Sequence, residues 1–209
     1  MTSKDDTRTS KTLSWILRHG ALKEGLNITS DGFVKIEDIL SRPKWKNQFT
    51  LDDIKRVTDN NSKKRFTIKS EHGVLYIKAN QGHTIEQVDN LSLRPITKTC
   101  GFNIIHGTFF TAWNIIKTDG ISRMKRNHIH FAKGLPTDAD IISGVRSNAQ
   151  VFIYIDLNKA LADNIQFYES ENGVVLSPGD TAGYLKPKYF LKVVTSSGTL
   201  LQSHGRATQ

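Results

Sequence analysis

The segment from residue 106 to residue 132 holds the residue types and spacings best suited to chemistry in this chain. It opens with a His-Gly-Thr triplet, and a glycine beside a histidine lets a ligand approach the backbone closely. A predicted helix then stops at Gly120. Arg126 precedes a predicted strand that carries His128 and His130 at period two, on one face. Cationic, titratable and small residues in one neighbourhood suit a nucleotide that carries phosphates.

Three arginines and one histidine stand at the boundaries of predicted elements. Arg18 and His19 close the first predicted helix, Arg65 begins a strand in KKRF, and Arg126 precedes the His-x-His strand. A cation at a helix C-terminus is stabilised by the helix dipole, so capping alone accounts for Arg18 and His19. Arginine also matches phosphate oxygens in a bidentate way and keeps its charge. Capping and convergence on one phosphate therefore both stay open.

The histidines do not form a recognisable metal motif. The chain has one cysteine, Cys100, and no His-Glu-x-x-His or Cys-x-x-Cys pattern, so we expect no zinc or other metal. His128 can equally be a structural residue that is hydrogen-bonded to a backbone carbonyl. No Gly-x-Gly-x-x-Gly or P-loop pattern occurs, so the sequence supports neither a Rossmann site nor a Walker site.

Two further motifs have two interpretations each. Gln81-Gly-His83 lies where two lobes are expected to join, and it is either a plain turn or part of a site. Ser143, Gly144 and Arg146 either face a ligand or form the C-terminal cap of a helix predicted over Asp138–Val145.

Composition predicts a soluble intracellular protein with a polyanionic partner. Among 209 residues, 37% are hydrophobic and the net charge is +9, which favours nucleic acid but also fits a merely basic protein. A single cysteine fits a reducing compartment, cytoplasm or nucleus. We expect no membrane association, because no apolar run is long enough to span a bilayer and no secretory signal is visible. Without a heptad repeat, a monomer is expected.

The first part of the chain predicts an N-terminal winged-helix-like lobe over residues 10–95, preceded by a disordered tail over residues 1–9. A helix is expected from a cap at Ser10 to about Gly20. A second follows the Asp31-Gly32 turn and is bounded by Pro43, and a third opens at a capping box on Thr50. Two strands, about Arg65–Lys69 and Val74–Lys78, complete the pattern of three helices and a hairpin.

The second part predicts an α+β lobe with a β-sheet core over residues 96–197, followed by a loose tail over residues 198–209. Five strands and two helices are expected there. The strands are near Asn103–His106, Asn127–Ala132, Val151–Asp156, Val174–Ser177 and Tyr189–Thr195, and the helices near Thr111–Thr118 and Asp138–Val145.

Residues 10–195 resemble the Tpt1/KptA family of NAD-dependent RNA 2'-phosphotransferases. Six motifs in the family's order carry the resemblance: LSWILRHGALKEGL with the following DG turn, KKRFTIK, NQGHTI, IHGT, DGISRMKRNHIHFA and ISGVRSNAQVFIYID. The resemblance implies a winged-helix lobe followed by an ADP-ribosyltransferase-like lobe. It also implies that an Arg-His-Arg-Arg tetrad, here Arg18, His19, Arg65 and Arg126, binds the RNA 2'-phosphate.

The same resemblance assigns NAD, consumed as a co-substrate, to the second lobe. It places His106, Gly107, Thr108 and His130 at the NAD, with Ser143, Gly144 and Arg146 close to the site. Related transferases have a catalytic glutamate on a late strand. Here Val174 or Val175 takes that place, and Glu171 is out of register.

The implied reaction removes an internal 2'-phosphate from RNA, with spliced tRNA as the family's best-known substrate. The products are RNA with a 2'-hydroxyl, ADP-ribose 1'',2''-cyclic phosphate and nicotinamide. Two alternatives stay open: an ADP-ribosyltransferase that caps nucleic-acid phosphates, and a non-catalytic winged-helix module that binds nucleic acid.

Overall fold

In the computed structural model the chain divides into two compact units, Met1–Ser92 and Leu93–Gln209. The structure describes residues 4–99, 101–135, 144–145 and 148–203. The sequence placed the division after residue 95, three residues later. Helices and strands are both well represented, so the expectation of a mixed α+β protein is confirmed.

The first unit opens with helix α1, Lys4–Trp15, which continues into a five-residue π-helical segment, Ile16–Gly20. The expected disordered tail is therefore wrong for residues 4–9, and Ser10 lies inside a helix and does not cap one. Asp6 is buried and accepts two hydrogen bonds from Arg56, at 3.0 and 2.9 Å. This ion pair, fifty residues apart in sequence, holds the first turns of α1 in place.

Two shorter helices follow, α2 (Ile36–Ser41) and α3 (Leu51–Asp59). The capping box predicted at the start of α3 is confirmed. The Thr50 hydroxyl accepts from the Asp53 amide, and the Asp53 carboxylate accepts from the Thr50 amide at 2.8 Å. Those hydrogen bonds, with help from Arg56, lower the pKa of Asp53 to about 2.

A three-stranded antiparallel sheet completes the first unit. Its strands are β1 (Val34–Lys35), β2 (Phe66–Glu71) and β3 (Val74–Ala79), in the order β1-β3-β2. The predicted hairpin is thus confirmed, with its turn at His72-Gly73, where both residues have positive φ. The helices and the sheet share one apolar core, which includes Leu13, Ile16, Leu17, Ile39, Ile54 and Ile77.

The second unit is built on two four-stranded antiparallel sheets. One has the order β13-β12-β8-β5 and consists of β5 (Ile105–Thr108), β8 (Val151–Ile155), β12 (Phe190–Thr195) and β13 (Leu200–Ser203). The central strand β8 is buried along its whole length. Alternate β8 residues belong to separate apolar clusters, with Val151, Ile153 and Ile155 in one and Phe152 and Tyr154 in the other.

The other sheet has the order β4-β9-β10-β7. It consists of β4 (Arg94–Pro95), β7 (Ile129–Phe131), β9 (Tyr168–Glu169) and β10 (Val175–Ser177). Paired backbone hydrogen bonds between Ile105 and Ala132, at 2.9 and 2.8 Å, connect β5 to the end of β7. Helices α4 (Phe110–Asp119) and α5 (Leu157–Ala162), the strand pair β6 (Ile121–Ser122) and β11 (Tyr184–Leu185), and a 3₁₀ turn at Pro187–Tyr189 complete the unit.

The C-terminal tail expected over residues 198–209 is wrong for Leu200–Ser203. These residues form β13 because β12 offers them an open edge, and Gly198, at φ 87°, lies in the connecting turn. The five predicted strands and the helix over 111–118 are all present with small shifts at their ends. The helix predicted over 138–145 falls mainly outside the described residues.

Candidate functional site

A polar cleft of about 480 Å³ in the first unit runs along α1 and brings together three of the predicted site residues, Arg18, His19 and Arg65. Arg18 and His19 come from the π-helical segment that extends α1, and Arg65 comes from the residue before β2. A π-helical turn is uncommon and often occurs at functional sites. These three side chains, distant in sequence, therefore share one cavity.

Arg65 is the best-defined cation of this cleft. It is half-buried and donates to the Asn61 side-chain oxygen at 3.2 Å, and that oxygen also accepts from the Lys63 amide. Burial lowers the pKa of Arg65. The carboxylate that also lines the cleft, Asp6, is paired with Arg56, and no ion pair of Arg65 is seen among the described residues. A half-buried guanidinium without an acidic partner is an environment that an incoming anion stabilises.

Residues 80–84 form a segment that contacts Arg18 and His19. The Thr84 amide donates to the Arg18 carbonyl at 2.9 Å, and the Thr84 hydroxyl lies 3.0 Å from His19 Nδ1. Gly82, at φ 92°, lies so close to the Arg18 side chain that a Cβ on it would be 3.3 Å from Arg18 Nε. Gln81 and His83 are buried within the first unit, and both interpretations of this motif, a turn and part of a site, stay open.

The other side chains that line the cleft were not among the site residues predicted from the sequence. They are polar and charged residues of α1, an exposed aromatic ring, one valine of α3 and a polar turn after α3: Asp6, Thr7, Ser10, Lys11, Ser14, Trp15, Val57, Asn60, Asn61 and Ser62. The sequence did contain a signal for these residues. Polar residues recur along this helical segment between the apolar positions that pack in the core, Leu13, Ile16 and Leu17.

In the second unit, His106 on β5 is held by the backbone of β7. Its Nδ1 lies 3.0 Å from the His130 carbonyl, and because a carbonyl oxygen only accepts, Nδ1 carries the proton and Nε2 carries a lone pair. Burial lowers the pKa of His106, which keeps the ring neutral, although the hydrogen bond to His130 opposes the shift. The ring also packs edge-on against Phe131, with centroids 5.9 Å apart.

Gly107, the residue after His106, has no room for a side chain, because the side chain of Val145 packs against it. A Cβ on Gly107 would lie 2.0 Å from Val145 Cγ2 and 3.1 Å from Ala149 Cβ. The close approach expected at this glycine is therefore real, but in this structure its partner is Val145. Thr108, the third residue of the triplet, is buried in β5.

The two histidines near β7 differ in their surroundings. His130 lies within β7, opposite Leu176 of β10. His128 precedes the strand, so the regular strand predicted over 127–132 is wrong at that position. The His128 ring packs edge-on against Tyr168, at 6.2 Å, and its pKa is lowered by burial and by the charge of Arg123. Among the described residues, the His106 ring is hydrogen-bonded to a backbone carbonyl, that of His130.

Arg126 is exposed on the loop between β6 and β7. A neighbouring arginine braces this loop: Arg123 Nη1 donates to the Arg126 carbonyl at 2.7 Å, and the Arg123 amide donates to the Gly183 carbonyl at 2.9 Å. A Cβ on Gly183 would be 2.6 Å from Arg123 Nε, so the Arg123 side chain lies against this glycine.

Ser143 and Arg146 lie outside the described residues. Gly144 has φ 103°, and a Cβ there would be 2.5 Å from the Phe131 carbonyl oxygen, so both conformation and packing require glycine. Val174 and Val175, which the resemblance predicts at the place of a transferase glutamate, are fully buried beside and within β10.

Within the described ranges, no group of three or more histidine, cysteine or acidic side chains is arranged to hold a metal ion. Over the same ranges, no helix is both long enough and apolar enough to cross a membrane.

The first unit thus has a cleft lined by several basic side chains, and the second unit has a half-buried histidine whose Nδ1 is hydrogen-bonded to the backbone. A family model described as RNA 2'-phosphotransferase, Tpt1/KptA family, matches residues 4–179. The tRNA 2'-phosphotransferase 1 of Danio rerio is 46% identical over 190 residues, 88% of this chain and 84% of the relative. The protein of that name from Homo sapiens is 46% identical over 189 residues, 88% of this chain and 74% of the relative.

The tRNA 2'-phosphotransferase of Saccharomyces cerevisiae is 38% identical over 182 residues, 83% of this chain and 79% of the relative. The chain therefore belongs to the RNA 2'-phosphotransferase, Tpt1/KptA family, which confirms the resemblance drawn from its motifs.

Proposed function

We propose that this protein removes an internal 2'-phosphate from RNA, in the first place the splice-junction phosphate of tRNA, by transferring it to ADP-ribose from NAD. Family membership and the names of the relatives support the substrate class. The observation that carries the proposal is the placement of half-buried Arg65, without an acidic partner among the described residues, in one cleft with Arg18 and His19.

The two units take separate roles in this proposal. The first unit, with three helices and a three-stranded sheet, is a winged-helix-like lobe that binds RNA through its basic cleft. The second, with two packed antiparallel sheets, is an ADP-ribosyltransferase-like lobe that binds NAD. Support for these roles comes from the fold of each unit and from the family resemblance.

In the first step, a 2'-phosphate oxygen attacks the ribose carbon that bears nicotinamide, and nicotinamide leaves with the electrons of the broken bond. A phosphate is already anionic near neutral pH, so it needs no base to remove a proton. The buried valines at the place of a glutamate are consistent with that chemistry. Positioning and charge neutralisation by Arg18, Arg65 and Arg126 are what the step requires.

In the second step, the adjacent ribose hydroxyl attacks phosphorus and the bond from phosphorus to the RNA 2'-oxygen breaks. The hydroxyl loses a proton and the departing RNA oxygen gains one. His19 is the proton-transfer group in this proposal, because an imidazole titrates near neutral pH. The arginines stabilise the charge that develops on the phosphoryl oxygens.

The NAD site is proposed at His106, Gly107, Thr108 and His130, with Ser143, Gly144 and Arg146 close by. His106 offers the clearest support, because its Nε2 lone pair can accept a hydrogen bond from a ribose hydroxyl while Nδ1 donates to the protein backbone. The roles of Ser143 and Arg146 rest on the resemblance alone. An intracellular location and a monomeric protein stay predictions.

The test uses the purified protein and an RNA oligonucleotide with one internal 2'-phosphate, with and without NAD, and follows phosphate loss and nicotinamide release. We expect NAD-dependent conversion to the 2'-hydroxyl RNA and its near-complete loss in Arg65→Ala, since one lost transition-state donor costs about 100- to 1000-fold. Lys55→Ala, which removes a cation of α3 outside the cleft lining, is the matched control.

The alternatives give different products in the same assay. ADP-ribose that stays on the RNA would indicate the capping transferase. Tight RNA binding without nicotinamide release would indicate a binding module. Either result refutes the proposal.

A further inference from the structure

Thr84 contacts both Arg18 and His19, although Thr84 does not itself line the cleft. Its amide donates to the Arg18 carbonyl at 2.9 Å, its hydroxyl lies 3.4 Å from that same oxygen, and the hydroxyl lies 3.0 Å from His19 Nδ1. The three contacts fix the backbone of the π-helical segment and one nitrogen of the His19 ring.

The hydroxyl of Thr84 has one proton to donate and lone pairs to accept with. When the proton is donated to the Arg18 carbonyl, the oxygen accepts from His19 Nδ1–H, and both contacts are satisfied together. A histidine that donates from Nδ1 carries its lone pair on Nε2. His19 lines the cleft and Thr84 does not. Because Nδ1 is the ring nitrogen in contact with Thr84, Nε2 is the nitrogen that can act in the cleft.

We infer that Thr84 is a positioning residue that sets the tautomer and orientation of His19, so that Nε2 is available as a proton acceptor for the reaction in the cleft. The inference rests on the proposed function for its chemical meaning, because the second step needs a group that takes the proton of the attacking hydroxyl. A proton passes from that hydroxyl to the Nε2 lone pair and then to the departing RNA oxygen, so Thr84 itself is unchanged.

Neighbouring residues make the arrangement rigid. Gly82 packs against the Arg18 side chain, and His83 and Ile85 on either side of Thr84 are buried. The segment therefore keeps its place when the Thr84 hydroxyl is removed, since its amide still donates to the Arg18 carbonyl. Thr84→Val has nearly the same shape and removes the hydroxyl contacts alone.

The test compares the full-length protein with Thr84→Val, with Thr84→Ser, which keeps the hydroxyl, and with Thr58→Val. Thr58 is the matched control, because its hydroxyl donates to the Ile54 carbonyl at 2.9 Å within α3, outside the cleft lining. Two readouts are used: single-turnover removal of the 2'-phosphate from RNA, and ¹⁵N NMR of the histidine ring nitrogens, assigned with a His19→Gln sample.

We expect Thr84→Val to lower the single-turnover rate constant about tenfold or more while the KM for RNA changes less than about twofold, because orientation is lost and charge is not. Thr84→Ser should restore the rate to within about threefold of the original protein. In the NMR spectra, neutral His19 should carry its proton on Nδ1 in the original protein and in Thr84→Ser, and on Nε2 to a large extent in Thr84→Val.

Three outcomes would overturn the inference: an unchanged rate in Thr84→Val, an equal loss in Thr84→Ser or Thr58→Val, or the same His19 tautomer with and without the hydroxyl. The NMR readout requires no activity. A protein that shows the Nδ1–H tautomer dependent on Thr84 but never acts on 2'-phosphate RNA would refute the proposed function and leave the contact itself established.

Discussion

Replacement of Gly107 by alanine tests whether the His-Gly-Thr triplet and the Val145 segment form one packed unit. The new Cβ would be 2.0 Å from Val145 Cγ2, and real Cβ atoms do not approach within 3.0 Å, so that methyl group must move by at least about 1 Å. Val145 Cβ is already at 3.4 Å, an ordinary distance, so rotation of the valine side chain is the least costly response.

Overpacking of this kind costs about 1–3 kcal/mol of unfolding free energy. Val145→Ala removes the clashing methyl group. On its own it costs about 1 kcal/mol, because the side chain is only half-buried. In the double variant the 2.0 Å clash with Val145 is gone, and only the tight 3.1 Å approach to Ala149 Cβ remains. The summed single effects should therefore exceed the double effect by about 1 kcal/mol or more, well above the about 0.3–0.5 kcal/mol scatter of independent sites.

The measurement is urea unfolding of the second unit, followed by the fluorescence of buried Trp113 in a background where Trp15 and Trp45 are phenylalanine. Gly101→Ala is the matched control, because nothing lies within 4 Å of its Cβ position and its backbone is not in the left-handed region. It should leave the midpoint almost unchanged.

The same variants report on the proposed NAD site. The KM for NAD should rise in Gly107→Ala and return toward the original value when Val145→Ala is added. Additive stabilities within about 0.5 kcal/mol would refute the packing argument. A rise in KM that the second substitution does not relieve would refute its link to the NAD site.

Three further predictions concern the capping box, the buried histidine and the arginine loop. Thr50→Ala should lower the free energy of unfolding, measured in urea, by about 1 kcal/mol. Because the folded pKa of Asp53 is lowered to about 2, the stability from its carboxylate is present above pH 3.8 and is lost as the pH falls toward 2. This pH-dependent contribution should be smaller in Thr50→Ala. Because the pKa of His106 is lowered in the folded protein, the unfolded chain takes up a proton at a higher pH than the folded one. The free energy of unfolding should therefore fall as the pH drops below about 6.5. In His106→Gln, the urea midpoint should depend less on pH over this range. Arg123→Ala removes the hydrogen bond to the Arg126 carbonyl and should slow phosphate removal about 2- to 10-fold with little change in the KM for NAD, and an unchanged rate would contradict the bracing role.

Local sequence signals determined the elements whose contacts are close along the chain. The capping box at Thr50 is complete within four residues, the hairpin turn needs only His72-Gly73, and α4 ends where Gly120 leaves the helical region. In each case a few neighbouring residues satisfy the backbone hydrogen bonds, so the local pattern is sufficient. The motifs also led to the family, and they named Arg18, His19 and Arg65 before any geometry was known.

Tertiary structure alone decided the contacts between residues that are remote in sequence. Residues 4–9 are helical because Asp6 pairs with Arg56, fifty residues away, and His19 acquires its partner Thr84 from a segment sixty-five residues away. The space beside Gly107 is filled by the side chain of Val145, because the fold brings that side chain onto β5. No local pattern encodes such pairs, since each depends on the packing of whole elements, and these pairs set the orientation of His19 and the shape of the proposed NAD site.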